Sequence, residues 1–367
     1  MLKHFFSARL LVAACLLLLP ASVAAQKRAW VAVPDLPGYK TLKCDFHMHT
    51  VFSDGEVWPS TRVAEAWRDG LDAIAITDHD DYHPHKEDVA TDIARSYQIA
   101  LPAARRAGII LVPGAEITKG DIHFNALFVT DANAFTGLDL TSALTAARKQ
   151  GAFLFWNHPG WRGKTEWLPV IEAAHKDGMV RGVELVNGQT FYPEAFPWIA
   201  AKNLAILANT DVHGPQLPEN RLGKRPVTLV MARTADLDGI REALNARRTV
   251  AWMDDHLWGS AELLRGLWEG AVKPLAAEVP LEGRGAAISF RNQSAIPFEI
   301  QLTGKPTWLS GKGTVHPQSV SALSLRAGPV PAGQDLPAGV ELEIANLHSA
   351  PGENLRVMLP LKIAAKK

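Results

Sequence analysis

The 367-residue chain contains only two cysteines, and its charged side chains balance to a formal net charge of zero. A neutral chain argues against a broad binding surface for nucleic acid or for an anionic membrane. Cys15 lies in an N-terminal hydrophobic segment, so Cys44 has no partner for an internal disulfide once that segment is removed. We expect Cys44 to be a buried strand residue rather than a nucleophile. The sequence also lacks internal repeats, low-complexity tracts and a G-x-S-x-G nucleophile motif.

The one long hydrophobic run lies at the N-terminus, in MLKHFFSARLLVAACLLLLPASVAAQ. Two basic residues precede an apolar run over residues 10–19, and small residues follow, which is the pattern of a secretory signal peptide spanning residues 1–25. The run is shorter than the ~20 residues that a membrane span needs. Residues 12–15 also resemble a lipoprotein processing site, which remains an alternative. We therefore expect an exported protein, periplasmic or secreted, with no membrane segment after cleavage.

Between residues 40 and 270, short apolar segments alternate with amphipathic ones. Seven apolar segments are predicted to be buried strands: residues 72–77, 108–113, 124–129, 152–156, 182–186, 204–208 and 227–231. Five amphipathic segments are predicted to be helices: residues 62–68, 87–106, 140–149, 166–176 and 237–247. This alternation is typical of a parallel sheet closed into a (β/α) barrel. Residues 272–367 instead alternate apolar with polar residues between many prolines and glycines, which predicts a small β-sandwich.

The stretch CDFHMHTVFSDG places two histidines one residue apart. If this stretch is a strand, His47 and His49 point to the same face, where two imidazoles can hold one cation. The pair alone is a common pattern, so its meaning depends on whether other segments supply further ligands.

Further histidines and carboxylates follow the other predicted strands. The nine candidate ligands are His47, His49, Asp54, His79, Glu116, His123, His158, Asp211 and His213. Nearly all lie at or just past the C-terminal ends of strands, where a (β/α) barrel assembles its active site. Imidazole and carboxylate ligands without thiolate suit Mn, Zn or Fe(II). Because a catalytic ion usually has about three protein ligands, nine candidates predict two or three divalent ions.

These motifs together resemble the polymerase and histidinol phosphatase (PHP) superfamily. The matching motifs, in the family's order, are His47-Met48-His49, Ser53-Asp54-Gly55, Thr77-Asp78-His79, Gly114-Ala115-Glu116, His158-Pro159 and Asp211-Val212-His213. The resemblance covers residues 40–270 and implies a distorted (β/α)7 barrel with a trinuclear metal site. With the leader and the β-rich tail, the chain is most similar to exported bacterial phosphodiesterases of the Sb-PDE type.

The resemblance also implies which side chains share a metal. The first metal would take His47, His49, Glu116 and Asp211. Glu116 would bridge to a second metal that His123 and His158 complete, and a third would be held by Asp54, His79 and His213. The predicted catalytic residues are Asp54, Glu116, Asp211 and His213. Manganese is the expected metal, with zinc or iron as alternatives.

Side chains close to these motifs are candidates for contact with substrate. The predicted phosphate contacts are His85, Lys86, Arg162 and Arg225, and a surface role is the alternative for each. Four aromatic residues flank the ligand-bearing strand ends and predict an apolar ester group: Trp156, Trp161, Phe191 and Tyr192. Asn125, Asn157 and Asn187 adjoin ligand positions, where they either orient ligands or cap strand ends.

The sequence therefore predicts an exported metal-dependent phosphoesterase that hydrolyses small phosphate diesters, with the metals activating the attacking water. Its partner would be a small-molecule ester, not nucleic acid. Alternatives are a phosphomonoesterase of the same superfamily and a metal-dependent amidohydrolase, which also begins with H-x-H on a barrel strand. A non-catalytic binding protein with a degenerate barrel is a third alternative.

Overall fold

The computed structural model describes residues 27–217, 224–304, 307–329 and 336–365. The predicted signal peptide, residues 1–25, lies outside the described residues. Within the described part of the chain, no helix has both the length and the apolar character needed to cross a membrane.

Strands and helices alternate in the first part of the described chain, and strands alone make up its last part. The strands are β1 (Lys40–Asp45), β2 (Ala73–Ile76), β3 (Ile110–Lys119), β4 (Ile122–Leu127), β5 (Phe153–Trp156), β6 (Gly182–Asn187), β7 (Thr190–Phe191), β8 (Ala205–Asn209), β9 (Val227–Ala232), β10 (Thr249–Met253), β11 (His256–Trp258), β12 (Val272–Pro274), β13 (Glu278–Leu281), β14 (Gly285–Asn292), β15 (Phe298–Thr303), β16 (Leu309–Ser310), β17 (Lys312–Val315), β18 (Val320–Ala327), β19 (Val340–Ala350), β20 (Glu353–Leu359) and β21 (Lys362–Ala365). The helices are α1 (Pro59–Asp69), α2 (Ala94–Ala107), α3 (Leu140–Lys149), α4 (Pro169–Lys176), α5 (Ala195–Lys202), α6 (Leu237–Asn245) and α7 (Ala261–Ala271), with a 3-10 helix at Ala132–Phe135.

The first strands form a ring in the order β9-β1-β2-β3-β4-β5-β6-β8. The ring closes between β8 and β9 through the Thr228 hydroxyl, which accepts from the Ala208 amide and donates to the Ala208 carbonyl, both at 2.9 Å. Strand β2 shows how the sequence builds the two faces of this ring. Its alanines pack inside with Cys44, and its isoleucines pack on the outer cluster with α1 and α2. Cys44 is fully buried, as the sequence predicts.

Two strands of the ring run against their neighbours, whereas the alternating sequence pattern predicts a parallel sheet. Strand β9 pairs antiparallel with β1, and β4 pairs antiparallel with both β3 and β5. The β3–β4 connection has only two residues, Gly120 and Asp121, too few for a parallel crossover. Gly120 has a φ of 63°, which suits a tight hairpin turn. The hairpin places Glu116 on β3 close to His123 on β4.

The C-terminal part begins with β12 at Val272, directly after α7. Strands β17, β15, β19 and β20 form one layer, and β12, β14, β18 and β16 form another. Strand β18 alternates exposed and buried residues throughout, as expected when one face of a strand covers a core. The sequence predicts a small β-sandwich here from the same alternation, and the region is β-rich with strands in two layers.

The C-terminal strands are joined to the barrel through a shared sheet and a shared core. Strand β11 pairs in parallel with β19, so one sheet of 15 strands runs through both parts. On α7, the Trp268 ring packs edge-on against Phe290 and Phe298 of the C-terminal strands. The segment before β1 also contacts the C-terminal strands, since the Ala32 carbonyl accepts from the Ala295 amide at 2.7 Å.

Candidate metal centre

His47 and His49 lie just past the end of β1, which ends at Asp45 rather than continuing through the motif. Met48 between them forms an isolated parallel bridge with Val212. This bridge holds the segment extended beside the end of β8, so that both imidazoles point into the barrel and are fully buried. The His47-Met48-His49 and Asp211-Val212-His213 motifs are therefore neighbours in space.

Four ligand atoms converge at the end of β1. The Nε2 atoms of His47 and His49 lie 3.1 and 3.0 Å from Oδ1 of Asp211. The same two nitrogens lie 3.4 and 3.3 Å from Oε2 of Glu116. Two imidazole nitrogens and two carboxylate oxygens thus face one point, as ligands around a cation do.

None of these four atoms has a hydrogen-bond partner among the residues that the structure describes. Of the twelve buried side-chain nitrogen and oxygen atoms without a partner in the described chain, six belong to the predicted ligands: His47 Nε2, His49 Nε2, Asp54 Oδ1, Glu116 Oε2, His158 Nδ1 and Asp211 Oδ1. A buried polar atom left unpaired costs about 1–3 kcal/mol. Divalent cations between these atoms would satisfy them, so the residues fit a metal centre.

Glu116 occupies the middle of the cluster. Besides His47 and His49, its Oε2 faces Nδ1 of His79 at 3.0 Å. Its other oxygen, Oε1, faces Nδ1 of His123 at 3.1 Å and Nε2 of His158 at 3.5 Å. The two oxygens of one carboxylate therefore face two different sets of histidines, the arrangement of a bridging ligand.

Asp54 marks the outer end of the cluster. Its Oδ1 lies 3.2 Å from Nε2 of His213 and 3.5 Å from Nε2 of His79. The neighbouring Gly55 fixes this turn, because a Cβ there would meet the His49 carbonyl carbon and the Thr50 nitrogen at 2.5 Å. The Ser-Asp-Gly motif thus needs its glycine to fold the carboxylate back towards the histidines.

The structure brings all nine predicted ligands together, but not as three separate sets. Within reach of a common ion it places four groups: His49/Asp54/His79/His213, His47/His49/Glu116, His47/His158/Asp211 and His79/Glu116/His123. His158 groups with His47 and Asp211, and its Nε2 also faces Oε1 of Glu116 beside His123, the set that the family resemblance implies. Adjacent groups share ligands, and Glu116 is the one carboxylate among these described residues that belongs to two groups.

The carboxylates of the cluster are held in their ionised form. Burial alone would raise the pKa of Glu116, but the His79 and His47 rings hold that pKa well below its usual range. Burial and the charge of His79 lower the pKa of His49 to about 4, which leaves this ring neutral and able to coordinate. Burial would also lower the pKa of His47, yet Asp211 and Glu116 raise it well above its usual value. Without a metal, protons on the histidines neutralise the charge of the carboxylates, and bound cations would take the place of these protons.

Glu184 supports the cluster from behind and was not predicted from the sequence. Its Oε1 accepts from Nδ1 of His47 and Nδ2 of Asn209, both at 2.9 Å. Its Oε2 accepts from the His158 amide at 2.9 Å and from Nδ2 of Asn187 at 2.8 Å. Because a carboxylate only accepts, Nδ1 of His47 must carry the proton and Nε2 is left free for a cation.

We expect Glu184→Gln to weaken metal binding by about 10–100-fold. Glu184 accepts from four donors, and the amide nitrogen of a glutamine would face two of them in either orientation. Either His47 then loses its fixed tautomer, or the His158 amide loses its acceptor. Competition with a chromophoric chelator measures the affinity. The exposed Glu166→Gln serves as the control and should bind metal as the wild type does. Unchanged affinity in Glu184→Gln would refute this role.

Two buried side chains fix the loops that carry the ligands. Asp78 accepts from the Thr50 amide and hydroxyl and from the Ser53 hydroxyl, at 2.7–2.8 Å. Arg62 on α1 donates to the carbonyls of His49 and His213, at 2.9 and 2.7 Å. The first loop and the last ligand-bearing loop are thereby tied to one guanidinium.

Of the asparagines beside ligands, Asn157 and Asn187 contact the cluster. Nδ2 of Asn157 donates to Oε1 of Glu116 at 2.7 Å. Nδ2 of Asn187 lies 3.2 Å from Oδ2 of Asp211. Asn125 instead donates to the Phe46 carbonyl. The first two therefore orient ligands, and Asn125 secures a strand end.

A cavity of about 360 Å³ opens onto the cluster. Its described lining consists of seven predicted ligands together with Gly160, Trp161, Asn187, Thr190 and Tyr192. Trp161 and Tyr192 thus take the position predicted for them, whereas Trp156 is buried and stacks with Trp198. Phe191 lines a different cavity.

The predicted phosphate contacts do not line this cavity. His85 and Lys86 are exposed in the loop after β2. Arg162 is exposed, lies 4.4 Å above the Trp161 ring, and pairs with Asp121 at 3.2 Å. These three positions remain at the surface around the site rather than inside it.

Arg225 corrects the sequence-based interpretation. Its side chain is 2% exposed and pairs with Asp45, and with Asp69 at 2.9 Å. Both carboxylates are themselves buried, so the guanidinium neutralises charge inside the protein. Its burial and its two acidic partners are incompatible with a contact to substrate.

Comparison with known proteins agrees with this architecture. The PHP domain family matches residues 45–202. A solved structure from Bacteroides vulgatus, described as a two-domain protein containing a predicted PHP-like metal-dependent phosphoesterase, is 39% identical, with a TM-score of 0.84. The match covers 92% of this chain and 100% of that chain. An uncharacterized protein of Methanocaldococcus jannaschii is 39% identical over 79 residues, 21% of this chain and 34% of that protein.

This chain therefore spans about a third of the length of the archaeal relative but the whole length of the bacterial one. The PHP-type fold with a β-rich C-terminal region, predicted from the motifs and the strand pattern, is confirmed. The chain belongs to the PHP family.

Proposed function

We propose that this protein is a metal-dependent phosphoesterase that hydrolyses small phosphate diesters. The observation that carries the proposal is the cluster of buried imidazole and carboxylate atoms without partners around Glu116. The description of the Bacteroides vulgatus relative supports the same reaction class. The cofactor would be two or three divalent cations, with manganese first and zinc or iron as alternatives.

When bound, such cations lower the pKa of water and neutralise charge on a phosphoryl group. The nine ligands would hold them, and Glu184, Asn157 and Asn187 orient those ligands. Tyr192 is the polar side chain on the cavity wall best suited to donate to a phosphoryl oxygen. Burial, reinforced by the charges of Glu184 and Asp211, raises the pKa of Tyr192 to about 12, so its hydroxyl keeps the proton at neutral pH.

The preference for a diester rests on the character of the cavity wall. Apart from the ligands, the described lining residues are neutral: Gly160, Trp161, Asn187, Thr190 and Tyr192. A diester carries one negative charge, which the cations can balance largely alone, whereas a monoester dianion gains more from cationic side chains. Trp161 and Tyr192 offer ring faces against which an apolar ester group can pack.

The test compares kcat/KM for bis(p-nitrophenyl) phosphate and p-nitrophenyl phosphate at the same Mn(II) loading. We expect the diester to be favoured by about tenfold or more, or ~1.4 kcal/mol of transition-state stabilisation. A clear preference for the monoester would make the protein a phosphatase of the same family. Hydrolysis of p-nitroacetanilide without hydrolysis of either ester would favour an amidohydrolase instead.

We also propose that the protein is exported and acts outside the cytoplasm. The support is the basic, apolar and small-residue pattern of residues 1–25. N-terminal sequencing of the protein from a periplasmic or culture-medium fraction should begin at Gln26. Recovery of a chain beginning at Met1 from the cytoplasm alone would contradict export.

A further inference from the structure

A second cavity of about 620 Å³ lies where the barrel meets the C-terminal strands. Its walls come from the β7–α5 segment, from the β10–β11 hairpin and from the β19–β20 turn. The volume falls within the ~300–1,000 Å³ range of small-molecule sites, which often lie between structural units. None of the predicted metal ligands lines it.

One wall of this cavity is built from four nearly parallel rings, here called the ring wall: Phe191, His256, Trp258 and His348. Phe191 stacks on Trp258 with 5.0 Å between ring centres and 28° between planes. His348 stacks on Trp258 at 5.2 Å and 22°. The His256 ring lies beside that of His348 and nearly coplanar with it, with 5.2 Å between ring centres and 12° between planes. Phe191 is 40% exposed at the end of this wall. Flat apolar faces of this kind bind other planar rings by stacking.

A chain of hydrogen bonds fixes the protons on the two histidines of the ring wall. Nδ2 of Asn354 donates to Glu343 at 3.0 Å, so its Oδ1 must accept from Nδ1 of His348, also at 3.0 Å. Nε2 of His348 then accepts from Nδ1 of His256 at 2.9 Å. His256 is left with Nε2 as an acceptor, because the one hydrogen bond that its ring makes among the described residues uses Nδ1. The Asp254 carboxylate, on the same hairpin, adds a second acceptor to the lining.

We propose that this cavity is a second small-molecule site, for a planar aromatic ring that carries an N–H or O–H donor. The ring would stack on the ring wall, and its donor would bond to Nε2 of His256. Strand β7 separates this site from the metal centre, because Thr190 and Tyr192 line the one cavity and Phe191 and Pro193 line the other. The inference does not depend on the proposed catalytic function.

Indole and N-methylindole form a matched pair of probes, because the methyl group removes the donor and leaves the ring. Ligand-observed NMR titration of the full chain measures both affinities without any assay of turnover. We expect indole to bind about fivefold more tightly than N-methylindole, the value of one net hydrogen bond. His256→Phe keeps the ring shape and should abolish that preference.

Phe191→Ala should weaken binding of both probes by about fivefold through loss of stacking. Because Phe191 is partly exposed, this variant keeps the test valid if His256→Phe does not fold. Trp30→Ala, at an 83% exposed aromatic residue outside both cavities, is the control and should bind as the wild type does. Failure of indole to bind, or equal binding by wild type and Phe191→Ala, would overturn the site. If His256→Phe still binds indole more tightly than N-methylindole, His256 is not the acceptor.

Discussion

Glu116→Ala is expected to abolish phosphoester hydrolysis and to release more than one metal ion per chain. The reason is the double contact of this carboxylate, whose Oε2 faces His47, His49 and His79 and whose Oε1 faces His123 and His158. Removing it takes a ligand from two groups at once and leaves several buried imidazoles facing one another. Elemental analysis of protein purified without chelator, beside the wild type, measures the loss.

Arg162→Ala is the matched control for this experiment, because Arg162 lies at the surface beside the site. It pairs with Asp121, outside the cluster, and should retain the wild-type metal content. A Glu116→Ala protein with wild-type activity, or one that loses a single equivalent only, would contradict the bridging role. One metal equivalent or fewer in the wild type after supplementation would contradict a multinuclear centre altogether.

Arg225→Met is expected to lower the free energy of unfolding by about 3–5 kcal/mol, the usual cost of breaking a buried ion pair. The substitution leaves Asp45 and Asp69 buried without their shared cation. Asp45 also accepts from the Thr210 hydroxyl at 2.6 Å, so this damage reaches the loop before Asp211. Urea denaturation of the metal-free protein measures the change without a contribution from bound cations.

The loss of unfolding free energy in Arg225→Met should become smaller as the pH falls. Burial already raises the pKa of Asp45 despite the guanidinium beside it. Without Arg225 the folded state favours the protonated carboxyl still more, so acid restores part of the stability. Arg162→Met, at a 61% exposed side chain, should change the stability by about 0.5 kcal/mol or less. A loss of similar size in both variants would refute the role of Arg225 as the buried cation shared by Asp45 and Asp69.

Most of the ligand set could be read from the sequence because its motifs lie at or just past strand ends, whereas Glu116 and His123 lie within β3 and β4. A strand end is marked locally, by an apolar run followed by polar residues, and parallel strands bring such ends together. Glu184 was not predicted because it is the one charged residue in Gly182–Val186, where the pattern indicates only a buried strand. Its partner His47 is 137 residues away. A glutamate within an otherwise apolar strand is the one signal that could have identified it.

Arg225 shows the opposite error, since its nearness to Asp211 in sequence favoured a role at the site. Its partners Asp45 and Asp69 are 180 and 156 residues away, and no local pattern indicates such pairs. The helix α5 was also missed because Pro193 and Pro197 argue against a helix. Pro197 falls in the first turn, where its missing N–H is tolerated.

Because β11 pairs with β19, the sheet shared by the two parts of the chain cannot be completed until β19 has been synthesised. His256 and His348 are 92 residues apart, so the β10–β11 hairpin leaves the ribosome long before its neighbouring strand exists. Until then β11 is an open sheet edge, and Trp268 of α7 lacks the rings it packs against. A nascent chain ending after α7 therefore presents an unpaired strand beside exposed apolar surface. Truncation at that point should yield an aggregating fragment rather than a smaller enzyme.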